Sequence, residues 1–148
     1  MKIDLRKNEL IHFVGVGGIG MSGLALIMNG LGYKVQGSDI ANNRNIGRLK
    51  EKKIKIFLDH KKENIKKTTV LVISSAIKKN NPELVEALKK NLPVYTRGDM
   101  LGHIVSFMRN VVITGSHGKT TTTSLVSSIF TAANLDPTII NGGVLNSI

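Results

Sequence analysis

The stretch Gly115-Ser-His-Gly-Lys-Thr-Thr-Thr-Thr123 carries the densest chemistry in the chain. Two glycines free the backbone to curl, a lysine brings a cation, and hydroxyls follow at the expected start of a helix. Backbone N–H groups in such a loop can wrap a triphosphate, with Lys119 on the β- and γ-phosphates and the Thr120 hydroxyl on Mg²⁺. The candidate ATP contacts are therefore Gly115, Ser116, His117, Gly118, Lys119, Thr120 and Thr121, with Lys119 the candidate catalytic cation. Hydroxyls at a helix start also serve as caps, so Thr121 to Thr123 have a second reading. The spacing departs from the general phosphate-loop pattern G-x-x-x-x-G-K-[ST], because only two residues separate Gly115 from Gly118.

A second glycine cluster lies near the other end: Gly15-Val-Gly-Gly-Ile-Gly20, followed by Met21. It follows an apolar run and opens a helical pattern. Asp39 lies about 20 residues further on, at the end of the second expected strand, as a dinucleotide fingerprint requires. Glycines let the backbone approach a diphosphate, and the helix N-terminus supplies roughly half a positive charge. Gly15, Gly17, Gly18, Ile19, Gly20, Met21 and Asp39 are the candidate contacts, with Asp39 positioned to accept hydrogen bonds from a ribose. NAD and a UDP-sugar satisfy this geometry equally. The alternative is a tight turn whose glycines only pack.

Ligands of doubly wound sheets gather at the carboxyl ends of strands. Ser74-Ser75-Ala76-Ile77 closes the clearest apolar run, and its small side chains would let a ligand reach the backbone. Arg97 follows another strand and could face the same crevice. Either could equally be an ordinary surface position. Of the four histidines, His117 lies inside the loop at Gly115. His12 sits mid-strand as a core or interface residue, His103 reads as a helix-surface residue, and His60 reads as solvated. No histidine pair has the spacing and companions of a zinc site.

Strands and helices must alternate to position these residues. The expected strands are Leu10 to Val14, Lys34 to Asp39, Ile54 to Leu58, Thr69 to Ser74 and Pro93 to Tyr95. The expected helices are Met21 to Leu31, Ile46 to Lys53, one opened by Asn81-Pro82-Glu83, and Gly98 to Met108. In the helix that follows Asn81, the asparagine caps, Pro82 suits the first position, Glu83 favours the positive end, and Leu84, Val85 and Leu88 form the apolar face. This order predicts an α/β fold: a Rossmann-like, doubly wound parallel sheet with helices on both faces. At Asn110 the pattern restarts with an expected strand to Thr114, the loop, a helix, and a further strand at Pro137 to Ile140. The predicted domains are thus 1–108, which carries the diphosphate fingerprint, and 109–148, a second unit that opens with the phosphate loop.

Composition sets the outer limits. With 148 residues, the chain could bury roughly 70% of its unfolded surface. Hydrophobic residues make up 41%, aromatic residues only 4%, and Trp is absent, so Ile, Leu and Val must build the core. The absence of cysteine excludes disulfides and thiolate metal sites and suits a cytoplasmic setting. The first residues lack the apolar core of a signal peptide and no apolar run approaches the roughly 20 residues that span a bilayer, so neither a signal peptide nor a membrane span is expected. A net charge of +11 could mark an anionic partner. The lysines, however, come as dispersed pairs without aromatic platforms among them, which predicts neither nucleic acid nor membrane binding.

Five blocks together resemble the Mur ligases of bacterial cell-wall synthesis. They are His12-Phe-Val-Gly-Val-Gly-Gly-Ile-Gly-Met-Ser-Gly-Leu-Ala25, Gly37-Ser-Asp39, Ser74-Ser-Ala-Ile77, Thr114-Gly-Ser-His-Gly-Lys-Thr-Thr-Thr-Thr123 and Ile140-Asn-Gly-Gly-Val-Leu-Asn146. The match covers nearly the whole chain and favours the alanine-adding branch. The family loop resembles Gly-Thr-His-Gly-Lys-Thr, and Ser116 keeps the hydroxyl of its threonine. The compressed glycine spacing is the family's own. A family histidine matches His60, although Asp59 stands where glycine usually precedes it.

The resemblance implies a UDP-sugar role for His60, Ser75, Ala76 and Arg97 beside the first glycine loop. It implies an ATP- and Mg²⁺-dependent ligase that phosphorylates the carboxylate of UDP-N-acetylmuramic acid. The amino group of L-alanine then displaces the phosphate from the acyl phosphate, giving an amide, ADP and phosphate. The acidic metal ligands and the amino-acid domain of that enzyme would lie beyond Ile148, so these 148 residues alone are expected to be inactive. The alternative function is a regulatory Rossmann module that binds NAD or a UDP-sugar without catalysis.

Overall fold

Strand β1 (Leu10–Val14) lies at the centre of the sheet, where Ile11, Phe13 and Val14 are apolar and fully buried. A parallel strand covered on both faces needs that composition. The computed structural model describes Ile3, residues 5–141 and the backbone of 144–147. Part of the N-terminal stretch read for a signal peptide lies outside the described residues. So do Gly142 and Gly143 of the last family block.

Around β1 run β2 (Lys34–Ser38), β3 (Lys55–Phe57), β4 (Val70–Ile73) and β5 (Val94–Thr96). All pair in parallel, in the order β3-β2-β1-β4-β5. Chain order reverses between β1 and β4, so a crevice opens above the carboxyl ends of these strands. The α/β doubly wound expectation is borne out.

Side-chain alternation divides the core in two. Ile11, Phe13, Val70 and Val72 meet α1 (Ile19–Gly30), α2 (Arg44–Glu51) and α4 (Arg97–Ser106) on one face. Val14 and Leu71 meet α3 (Pro82–Lys89) and a short 3₁₀ turn (Lys62–Ile65) on the other. Met21, Leu24, Ala25 and Met28 are the buried stripe of α1, as their spacing predicts. That helix stops because Gly32 adopts a left-handed φ of 84°. The Gly32 and Tyr33 amides then donate back to the carbonyls of Asn29 and Met28. Gly37 lets α1's approach segment sit on the sheet: a Cβ there would meet Val16 at 2.8 Å and the Phe13 carbonyl oxygen at 2.9 Å.

Three expectations need correction. In α3 the buried positions are Glu83, Leu84 and Ala87, whereas Leu88 is exposed. Asn81 does cap the helix through the Glu83 and Leu84 amides, and that fixes a rotation which turns Glu83 inward and Leu88 outward. Second, Asn110 to Thr114 forms no strand. Among the described residues no neighbouring strand pairs with it, and a buried parallel strand needs partners for its amides and carbonyls. Third, the far end is an antiparallel hairpin of β6 (Thr138–Asn141) and β7 (Val144–Ser147), not part of a parallel unit. Between these lies α5 (Lys119–Ala132).

Candidate functional site

The glycine loop at Gly15 is held open by polar side chains from three directions. Gly15 takes a φ of 77°, and a Cβ there would meet the Ser74 Cβ at 3.1 Å. The Gly15 and Val16 amides donate to the Ser38 carbonyl at 2.8 and 3.0 Å. Asp39 accepts from the Gly17 amide at 2.8 Å and from the Ala41 amide at 2.9 Å. Asn43 and Asn45 donate to the Gly17 carbonyl at 3.1 and 2.9 Å. Asp39, read as a ribose acceptor, thus also organises the loop. The clamp by Asn43 and Asn45 was missed, because the asparagine-rich link reads only as a polar connection.

What the clamp presents is the bare N-terminus of α1. Gly18 occupies the capping position and no side chain caps the helix. The amides of Ile19, Gly20 and Met21 find no acceptor among the described residues. Uncapped first-turn amides and the helix dipole make an anion site. Arg97 supplies a full charge there. Its guanidinium lies so close over Gly20 that a Cβ at that position would meet Nη1 at 2.5 Å. Arg97 comes from the junction of β5 and α4, where Thr96 and Asp99 form a reciprocal capping box. Ser75 and Ala76 sit exposed in the turn after β4, with the Ala76 amide on the Ser74 hydroxyl at 3.3 Å. The structure therefore gathers Gly15, Gly17, Gly18, Ile19, Gly20, Met21, Asp39 and Arg97 at one edge, with the β4 turn alongside.

His60 is not the solvated residue its lysine-rich neighbourhood suggests. It follows β3 at the same carboxyl edge, and its Nδ1 lies 2.8 Å from Glu83 Oε2 and 3.1 Å from the Ser38 hydroxyl. Its side chain is only 16% exposed. Glu83 is wholly buried between α3 and the sheet. It accepts from the Ser38 hydroxyl at 2.6 Å and the Asn64 amide at 2.8 Å, with His12 Nε2 at 3.3 Å. Burial pushes the Glu83 carboxyl up, yet hydrogen bonds from His12, Ser38 and Asn64 outweigh it and hold the carboxyl below its ordinary value. Sequence reasoning gave Glu83 only a helix-dipole role. The signal it passed over is a polar stripe, His12 with Gln36 and Ser38, on one face of strands that should be apolar on both.

The second loop is built differently. Gly115 and Gly118 take φ values of 150° and 75°, and Gly118 caps α5 with no side-chain bond. Lys119 folds its Nζ onto the Gly115 and Ser116 carbonyls at 2.6 and 3.1 Å, closing a ring around the loop. Ser116, His117, Thr120 and Thr121 are exposed beside it. The Thr123 hydroxyl donates to the Lys119 carbonyl, so it is a helix-backbone partner here. Uncapped amides, a cation and a free-standing threonine fit a phosphate group with its Mg²⁺. Among the described residues no cluster of three acidic or histidine side chains could hold a metal alone. No helix among them is long and apolar enough to cross a membrane.

The model of the Mur ligase family, catalytic domain, matches residues 10–109. The chain belongs to the Mur ligase family. It is 68% identical over its whole length to the UDP-N-acetylmuramate–L-alanine ligase of Pelagibacter ubique, covering 32% of that protein. It is 56% identical over 147 residues to the corresponding ligase of Brucella ovis, covering 31% of it. Among solved structures it is similar to the UDP-N-acetylmuramate–alanine ligase of Thermotoga maritima, with a TM-score of 0.80 and 33% identity over 89% of this chain and 31% of that one. A murein peptide ligase from Psychrobacter arcticus superposes with a TM-score of 0.81 at 28% identity, over 93% of this chain and 29% of that one. The chain thus spans about a third of the length of the Mur ligases it matches.

Proposed function

We propose that this chain supplies the nucleotide-sugar site and the ATP phosphate grip of an ATP-dependent ligase that joins L-alanine to UDP-N-acetylmuramic acid. The observation that carries the reading is Arg97 laid over Gly20 at the uncapped start of α1. A cation and three open amides at one point suit a diphosphate. The likeness to alanine-adding ligases over the whole chain supports uridine diphosphate N-acetylmuramate as its bearer.

In this reading residues 1–108 form the UDP-sugar domain, and 109–148 begin the ATP-binding domain. The pyrophosphate rests on Ile19, Gly20 and Met21 with Arg97 across it, Asp39 keeps the loop in shape near the ribose, and Ser75 and Ala76 let the ligand approach the β4 turn. Gly115 to Thr121 would hold ATP, with Lys119 leaving its own loop carbonyls for the β- and γ-phosphates and Thr120 on Mg²⁺. ATP would supply the phosphoryl group that turns the sugar's carboxylate into an acyl phosphate, releasing ADP, and the alanine nitrogen would then displace phosphate to form the amide. In this reading these residues supply one end of the chemistry, in the cytoplasm.

Calorimetry tests the assignment. Titration with UDP-N-acetylmuramate is expected to give saturable heat that Arg97→Ala weakens at least tenfold, with no response to NAD. NAD binding in place of the UDP-sugar would favour a regulatory Rossmann module instead.

A further inference from the structure

Glu83 lies where a Rossmann sheet has no general need of a carboxylate: fully buried, on the face of β1 and β2 opposite α1. Four hydrogen-bond donors converge on it, as many as an ionised carboxylate can accept. Oε1 faces Asn64 Nδ2 at 2.8 Å and His12 Nε2 at 3.3 Å. Oε2 faces the Ser38 hydroxyl at 2.6 Å and His60 Nδ1 at 2.8 Å.

Gln36 Nε2 lies 2.9 Å from the Asn64 carbonyl oxygen, which can only accept. The same nitrogen lies 3.2 Å from the Thr68 hydroxyl and 3.0 Å from His12 Nδ1; an amide nitrogen cannot accept, so Nδ1 accepts and the His12 proton sits on Nε2, facing Glu83 Oε1 and the Ser38 hydroxyl, each at 3.3 Å. The Ser38 hydroxyl spends its proton on Glu83, so toward His60 Nδ1 at 3.1 Å it can only accept. His60 Nδ1 therefore faces two acceptors and must carry a proton. Its Nε2 has no partner among the described residues and is not among the buried unpaired atoms.

We propose that Glu83 is a positioning residue that fixes His60 in the Nδ1–H form, so that Nε2 meets the nucleotide-sugar ligand as a hydrogen-bond acceptor. Gln36, His12, Ser38 and Asn64 lock the carboxylate's direction. Buried carboxylates that hold one imidazole nitrogen commonly set the tautomer presented by the other. The ligand group read at this point is an N–H or O–H donor of the uridine or sugar. The second half of the proposal rests on the UDP-sugar reading; the first half does not.

Long-range ¹H–¹⁵N spectra of the 148-residue chain, recorded above pH 8 without ligand, report the neutral tautomer directly. The expected result is a protonated Nδ1 and a bare Nε2 for His60. A His60 in the Nε2–H form overturns the proposal without recourse to any variant. In Glu83→Gln, which places an amide N–H among the donors, the Nε2–H form is expected to dominate and UDP-N-acetylmuramate affinity to fall about tenfold. His60→Ala, at a partly exposed position and so less demanding of the core, is expected to lose the same factor, and the double variant no more. Independent, multiplying losses in the double variant overturn the coupling. A wild-type chain with the Nδ1–H tautomer but no affinity for the UDP-sugar would sustain the positioning role and overturn the ligand reading alone.

Discussion

The two glycine loops of this chain look alike in sequence and sit in opposite physical settings. The loop at Gly15 is anchored from below by a buried strand and from the side by Asp39, Asn43 and Asn45, and Arg97 lies close over Gly20. The loop at Gly115 is closed mainly by its own lysine, and the segment leading into it exposes Val111 and Val112 at 60% and 68%. The same contrast holds for the helices that follow. In α1 the large apolar side chains of Met21, Leu24 and Met28 are buried, while in α5 Leu125 and Ile129 are exposed and Ser127 is the buried residue. A glycine loop is thus a local instruction, and whether it becomes a finished site depends on elements far away in sequence. The first loop has them within these residues. The second has a cradle and a cation but lacks a sheet beside it among the described residues.

The comparison makes predictions of unequal size. Phe13→Ala empties a fully buried position between β1 and the α1 side of the core. It is expected to cost about 3–5 kcal/mol in urea unfolding. Ile129→Lys, on an α5 face 65% exposed at that residue, is expected to change stability by less than about 0.5 kcal/mol. Equal losses at the two positions would mean that α5 is packed as tightly as α1 and would erase the contrast.

A smaller effect concerns pH. Because the native Glu83 carboxyl lies below its ordinary value of 4.5, its stabilising contribution is fully present above about that pH. It is lost as pH falls through the depressed native value. The stability gap between wild type and Glu83→Gln is therefore expected to be widest near neutrality and to narrow below pH 4.5. A gap that widens on acidification would show that the carboxylate is not held ionised by its donors.

Much of this was legible from residues alone, for definite reasons. Strands β1 and β4 are short, mainly apolar runs, and burial on both faces of a parallel sheet writes that pattern directly, whereas β2 has Val35 as its one apolar side chain. Asn81-Pro82 announced a helix start because capping is local. The network at Glu83 was not legible, since it depends on β1 and β2 pairing in a register that sets His12 beside Gln36. It also depends on α3 crossing the same face, and neither fact is local. The lone expected strand at Asn110 failed for the converse reason. Its residues suit a strand, but β structure needs a partner that propensity cannot supply.

Hydrogen exchange with and without UDP-N-acetylmuramate tests the central claim most directly, because the open amides of Ile19, Gly20 and Met21 are its anchor. The account predicts slowed exchange across 15–21 and the turn at 74–77, with 115–123 unchanged. Protection confined to 115–123, or none at 15–21 under saturating ligand, would contradict it.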